Sequence, residues 1–452
     1  MVTLAAPLVA QGPQQPQPTG VAVGPVAVAK PPVLSDTAAL VSEFDVNGLK
    51  VLIKRREGSA TVVAGLFIKG GARNITAANA GIENLMLDAA SEATVNFPRQ
   101  RLRADLSRMA TAISSGSNYD YSALTLASTR ANFDRSWDIF TDVALRPAFT
   151  NEDVARVRDR TVLSIRDDAD TPDSYLQVLQ ARAAYAGHPY LNDPQGTVET
   201  VSRLTAEDLR RYHKQIMETS RLLLVVVGDL DPQLLRQRIA ASFGKLPRGD
   251  YRPTPLPELS FAASAVEVTA RDIPTTYVQG VFAAPGLASP DVYPMRVATS
   301  ILQNRLFLEI RAKRNLSYAP DAFLWSQGSN LGGVSVSSTD ANQSVRIMFD
   351  EMARLQREPI SQDELHGTVQ HYLTRYYLAQ ETNAAQAGDL AQAELLGGGW
   401  RNSALFMEKI SAVTAADVVR VAQKYMRNIR FVVLGDPKRV DTKVFTGGGA
   451  GQ

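Results

Sequence analysis

The chain has 452 residues, 45% hydrophobic and 21% charged, enough for about two to four domains at roughly 100–200 residues each. A formal net charge of +2, with no long basic run, argues against nucleic acid as a partner. The absence of cysteine excludes disulfides, thiolate metal sites and cysteine nucleophiles.

Residues 1–11, MVTLAAPLVAQ, are small and apolar. They match the core and cleavage end of a secretory signal without its basic start, and they predict an exported, periplasmic bacterial protein. Nothing later reaches the roughly 18–20 unbroken apolar residues of a membrane span. Residues 12–34 are rich in Pro, Gln, Gly, Ala and Val and read, with the segment before them, as a flexible leader.

A first unit is expected over residues 35–244. Short β-branched runs predict strands at Lys50–Lys54 and Val62–Ile68. A helix follows over Gly81–Ser91, then more strand, then a long amphipathic helix near 150–170. Thr205 reads as an N-cap with acidic residues in the next turn, and the apolar run Leu222–Asp229 as a closing strand. Four prolines between Lys245 and Pro257 forbid helix and central strand, so residues 245–259 are expected to be a linker. The second unit, residues 260–440, repeats the plan: a strand at Tyr277–Ala283, helix over Tyr293–Lys313, a long helix over 361–380, a cap at Thr414 and a strand at Phe431–Asp436. Residues 441–452 read as a flexible tail.

The halves also share words. Thr205-Ala206-Glu207-Asp208-Leu209 recurs as Thr414-Ala415-Ala416-Asp417-Val418, 209 residues on. The strands ending in Gly-Asp, at Asp229 and Asp436, lie 207 apart. Thr150-Asn151-Glu152-Asp153-Val154 parallels Ser361-Gln362-Asp363-Glu364-Leu365, 211 apart. Three matches in one order at nearly constant offset indicate a duplicated domain rather than a solenoid repeat. The expected fold is α+β: two homologous tandem domains, each a mostly antiparallel sheet packed by helices on one side.

The order of Asn47-Gly48-Leu49-Lys50-Val51, Gly70-Gly71-Ala72-Arg73-Asn74, Ala80-Gly81-Ile82, His188-Pro189-Tyr190 and Gly196-Thr197, followed by the Thr-Ala-Glu-Asp-Leu and Val-Val-Gly-Asp words, resembles the pitrilysin (insulinase-like) family of inverted zinc peptidases. The match runs from about residue 40 to residue 440. The resemblance implies H-x-x-E-H on the first helix, where two His one turn apart grip Zn²⁺ and the Glu activates bound water. Here the two His positions fall on Asn84 and Asp88 and the Glu position on Leu87. The downstream Glu ligand falls within Thr161–Ile165, on Ser164. Leu87 cannot act as a base, and Asn84 with Asp88 makes a poor zinc site, so no cofactor is expected in this chain. The four histidines, His188, His213, His366 and His371, have no Glu at motif spacing and read as packing or surface residues. Glu83 and Asp88, five apart on a helix, do not read as a carboxylate pair.

The second half keeps one functional word of the family. Asn304 to Tyr318 resembles its Arg/Tyr motif, and residue matching puts the pair on Arg311 and Tyr318. In the family that pair holds the substrate carbonyl and steadies the oxyanion, work suited to a fixed cation and a phenolic donor. On the residues alone, Arg311 reads as ending a helix and Tyr318 as starting a strand; the family word is what favours a functional pair. Gly397-Gly398-Gly399 reads as a helix-end turn rather than the family's glycine-rich substrate loop. The resemblance implies a subunit that supplies Arg311 and Tyr318 to a homologous zinc-bearing partner in a heterodimer that hydrolyses extended peptides. The alternative is a structural or peptide-binding scaffold without a catalytic role. An unrelated enzyme finds no support, since neither a Gly-x-Ser-x-Gly elbow nor a phosphate loop is present.

Overall fold

A computed structural model describes residues 40–447; the export segment and leader expected over 1–34 lie outside the described residues. The first half builds a six-stranded sheet from β1 (Val41–Val46), β2 (Leu49–Arg55), β3 (Thr61–Lys69), β4 (Ala112–Ser117), β5 (Tyr121–Thr129) and β6 (Leu222–Gly228), in the order β1-β2-β6-β3-β5-β4. β1 and β2 are joined through Asn47-Gly48, whose φ angles of 52° and 88° suit the two-residue hairpin turn that Asn-Gly favours. Only β2 and β6 run parallel. The second half repeats this with β7 (Ala265–Ala270), β8 (Thr276–Ala284), β9 (Asp321–Leu324), β10 (Asn330–Ser338) and β11 (Arg430–Gly435), in the order β7-β11-β8-β10-β9. Its one parallel pair is β7 and β11. It is the first sheet without β1, so the duplication read from the words extends to strand order and direction.

The helices used below are α1 (Ile82–Ala90), α2 (Phe133–Leu145), α3 (Asn151–Asp170), α4 (Pro172–Ala184) and α5 (Ala206–Ile216) in the first half. In the second they are α6 (Val292–Leu306), α7 (Ala341–Arg357), α8 (Gln362–Ala379), α9 (Asn383–Leu396) and α10 (Ala415–Tyr425). α1, α2, α3 and α5 bury Leu85, Phe140, Val154 and Leu209 against Val51, Leu66 and Leu224 of the first sheet. α6, α7, α8 and α10 bury Ile301, Met348, Leu365 and Val421 against Val278, Val336 and Val433 of the second. Thr205 and Thr414 both close reciprocal capping boxes with Asp208 and Asp417.

The opposite face of each sheet is covered as well, by a helix from the other half. α9 lays Ala387, Leu390 and Ala391, with nearby Trp400, over Leu52, Val63, Phe67, Leu223, Val225 and Val227 of the first sheet. α4 lays Leu176 over Val432 and Leu434 of the second, and the side chains of Gln177 and Gln279 pair at 2.8 Å. The reason is written in β6: all seven of its residues are buried, as in a strand covered on both faces. Polar contacts fix α9 in place. Arg56 donates to Asn383 Oδ1 at 2.6 Å, Asn383 donates to the Thr61 carbonyl at 2.7 Å, and Lys50 pairs with Glu394 at 2.6 Å.

Residues 246–264 contain neither helix nor strand. They are nonetheless tied down, because the Pro257 carbonyl accepts from His188 Nε2 at 3.1 Å and from Ser329 Oγ at 2.5 Å. The second half continues past residue 440, where a flexible tail was expected. Thr442–Phe445 is a short helix, and the fully buried Phe445 ring meets Phe431 edge-on at 5.3 Å between centroids.

Candidate functional site

The expected zinc helix forms. Its N-cap, Gly81, has φ 89° and its backbone comes so close to the Gln195–Gly196 turn that a Cβ would lie 2.7 Å from the Gln195 carbonyl oxygen. Asn84 and Asp88, one turn apart, are half-buried on one face, and Leu87 is buried. Asp88 Oδ1 accepts from Ser115 Oγ of β4 at 2.6 Å. Burial raises the Asp88 carboxyl above the usual range, against the Ser115 bond and the nearby Arg160 charge. Ser164 is exposed on α3, which packs against α1.

These residues do not fit zinc. The ligand positions offer an amide, a carboxylate already engaged by a hydroxyl and a neutral hydroxyl, and the base position is apolar. Among the described residues no group of three or more His, Cys, Asp or Glu side chains could hold a metal. Glu83 and Asp88 share no partner. Glu83 is buried, accepts from Tyr212 at 2.7 Å and from Ser122, and is pushed up by burial.

The histidines stay apart. His188 donates to Pro257 through Nε2 and accepts from the Tyr190 N–H through Nδ1 at 3.1 Å. His213 bonds the Ala144 carbonyl at 2.8 Å. Burial lowers the pKa of both. His366 and His371 are exposed on α8. Gly397-Gly398-Gly399 ends α9, with Gly398 and Gly399 at φ 79° and 122° and the Gly399 N–H bonded to the Ala393 carbonyl at 2.9 Å.

Arg311 and Tyr318 do come together. Beyond Leu306, α6 widens into a π-helical turn, Phe307–Ala312, a local form found often at functional sites. The Arg311 guanidinium lies 4.0 Å from the Tyr318 ring centroid and 5.1 Å from that of Phe307, a cation held between two aromatic faces. Tyr318 is 78% exposed. Glu309, the adjacent carboxylate, is taken by Lys313 and Arg314, each at 2.5 Å. Among the described residues no carboxylate pairs with Arg311, and no hydrogen bond or ion pair joins Arg311 or Tyr318 to Asn84, Leu87, Asp88 or Ser164. Phe307 was not singled out from sequence; its position one turn before Arg311 was the available signal.

Two family models match the chain: insulinase (peptidase family M16) over residues 50–194 and the peptidase M16 inactive domain over residues 203–372. Between them they take in more than two thirds of the sequence. The chain belongs to the M16 peptidase family. Among similar proteins, the beta subunit of the mitochondrial-processing peptidase of Saccharomyces cerevisiae is 19% identical to this M16 chain, covering 87% of it and 90% of the yeast protein. An uncharacterized zinc protease of Streptomyces coelicolor is 23% identical, covering 83% of this chain and 85% of the relative. The crystal structure of a peptidase M16 inactive domain from Pseudomonas fluorescens superposes with a TM-score of 0.80 at 16% identity, covering 88% of this M16 chain and 98% of that one. No helix among the described residues is long and apolar enough to cross a membrane.

Proposed function

We propose that this chain is the zinc-free subunit of a two-chain M16 peptidase, supplying Arg311 and Tyr318 to the zinc site of a homologous partner. The observation that carries the reading is a guanidinium with no carboxylate partner among the described residues, held between aromatic rings beside an exposed phenol, in a chain whose own first helix offers no ligand set. The partner's zinc would activate the water. This chain's guanidinium and phenol would hold the carbonyl oxygen of the scissile bond and donate to it as negative charge develops. Extended peptide would add a strand to a sheet edge of the partner's zinc-bearing domain. The name of the yeast relative, a peptidase subunit, and the apolar opening of the sequence support a heteromeric and exported enzyme.

The test measures peptide hydrolysis by this chain, by a zinc-bearing homologue and by their mixture, with bound zinc quantified in each. Only the mixture should cleave, and Arg311→Ala should slow it by about 10²–10³-fold. Stoichiometric zinc and cleavage by this chain alone would overturn the reading. Full mixture activity with both Arg311→Ala and Tyr318→Phe would favour the second reading, a peptide-binding scaffold, for which the missing ligand set is the evidence.

A further inference from the structure

One opening of the second half lies where the first half has the positions of the family's zinc motif. α6 and α8 are the counterparts of α1 and α3, and the residue 211 positions after Ser164 is Arg375. There α6, β9, α8 and α9 surround a cavity of ≈ 650 Å³. Tyr293, Phe323, Tyr372 and Phe406 give it aromatic walls, and two arginines reach it. Among the described residues the direct contacts of Arg296 are neutral, Tyr372 OH at 3.2 Å, Ser326 Oγ at 3.4 Å and the Phe406 ring at 5.8 Å, with its buried Nε unpartnered, and its charge is felt at Asp389 without an ion pair. The Arg375 side chain is exposed and makes no hydrogen bond or ion pair among the described residues. Two carboxylates share the cavity. Asp389 is engaged by Ser403 and, at 3.4 Å, by Tyr376 OH, and burial raises it above the usual range. Asp321 is exposed at the start of β9. Neither comes within ion-pair distance of either arginine. The cavity therefore holds guanidinium forks that lack the planar anion they fit best, against surfaces suited to an apolar side chain.

The α6 side of the cavity ends at Gln303, four residues before Phe307. Arg296, Ser300 and Gln303 line it from α6, and Phe307 and Arg311 continue the same spacing of three to four residues. In an α-helix that spacing drifts slowly round the axis, and the wider π turn at Phe307–Ala312, with less rotation per residue, acts against that drift. Arg296 and Arg311 are fifteen residues apart, a rise of about 22 Å, which roughly seven extended residues would span.

We propose that this cavity binds a peptide carboxylate through Arg296 and Arg375 and anchors peptides whose chain then runs along α6 to Arg311. The second clause rests on the function proposed above; carboxylate binding does not. The cavity would select peptides carrying a carboxylate about seven residues from the bond held at Arg311.

The test titrates the full chain, without any partner, by calorimetry. The probes are a Gly/Ser/Ala peptide ending in Phe with a free carboxylate, the same peptide amidated, and an amidated version with one internal Glu. The free acid should bind about tenfold or more tighter than the carboxylate-free amide, as expected for a charged hydrogen bond. Arg296→Gln and Arg375→Gln should each remove most of that difference, and Arg375 is exposed, so its variant does not hinge on folding. The Glu peptide separates a side-chain carboxylate from a chain terminus; binding of either kind supports the cavity. Undetectable binding of the free acid, equal affinity for the carboxylate-free amide, or a preference unchanged in both variants would overturn the proposal. Arg311→Ala should retain the preference while losing partner-dependent hydrolysis, so the two readings fail separately.

Discussion

The two halves place different chemistry at one address. In the first, the face of α1 is closed: Leu87 is buried and Asp88 is tied to Ser115. In the second, α6 borders an open cavity in which neither Arg296 nor Arg375 forms an ion pair among the described residues. The sheets behind these helices have the same strand order apart from β1. The two addresses thus share a sheet order but differ in what is laid on it: α1 spans nine residues, whereas α6 spans fifteen and continues into the π turn.

The comparison is broken most forcefully at the exchanged helices. Leu390→Ala on α9 and Leu176→Ala on α4 each remove a buried side chain from the face of the other half's sheet, and each should cost about 2–5 kcal/mol in denaturant unfolding. Leu390 sits in the larger apolar cluster and should lose more. Unchanged midpoints for both would mean that the helices do not cover the sheets in solution.

The carboxylates near the starts of α1 and α6 should show opposite pH dependence. Burial alone would raise Asp291, but hydrogen bonds from Lys424 at 2.9 Å, Arg420 at 2.7 Å and Tyr425 at 2.9 Å outweigh it and hold the carboxyl down at about 2. A depressed folded value stabilises above the unfolded pKa of about 3.9 and is lost as pH falls toward 2. Asp291→Asn should cost about 1 kcal/mol at neutral pH, after allowance for solvent screening, and flatten the acid side of the stability curve. Glu83 has the reverse sign. Burial raises it, so its ionisation opposes folding as pH rises from the unfolded value through the folded one. Glu83→Gln should be more favourable, relative to the natural chain, at pH 8 than at pH 4; the opposite order would show that Glu83 is stabilised as an anion.

The smallest effect tests equality. Thr205→Ala and Thr414→Ala open matching capping boxes and should each cost about 1 kcal/mol, measured as thermal shifts. A clear inequality would mean that the halves unfold as separate units with different thresholds.

The local elements were legible in the sequence because their causes are local. The caps at Thr205 and Thr414, the apolar strands β6 and β11 and the break of α9 at Gly397 each depend on a few neighbouring residues. The duplication was legible because order and offset survive even when most side chains differ. The missing zinc ligands could be read once the position of α1 in the family's motif order was known, since spacing along one helix fixes what one metal ion can touch.

By itself, then, the sequence determined two α+β units and the absence of H-x-x-E-H. The tertiary structure alone decided that each sheet is covered on its second face by the other half's helix. It also decided that Phe445 belongs to the core, that Phe307 joins Tyr318 around Arg311, and that Arg296 and Arg375 share a cavity. These facts arise from contacts between residues far apart in the chain, such as Leu390 with Val63 or Arg296 with Tyr372. Periodicity reports which face of an element is apolar; what covers that face is set by the packing of the whole chain.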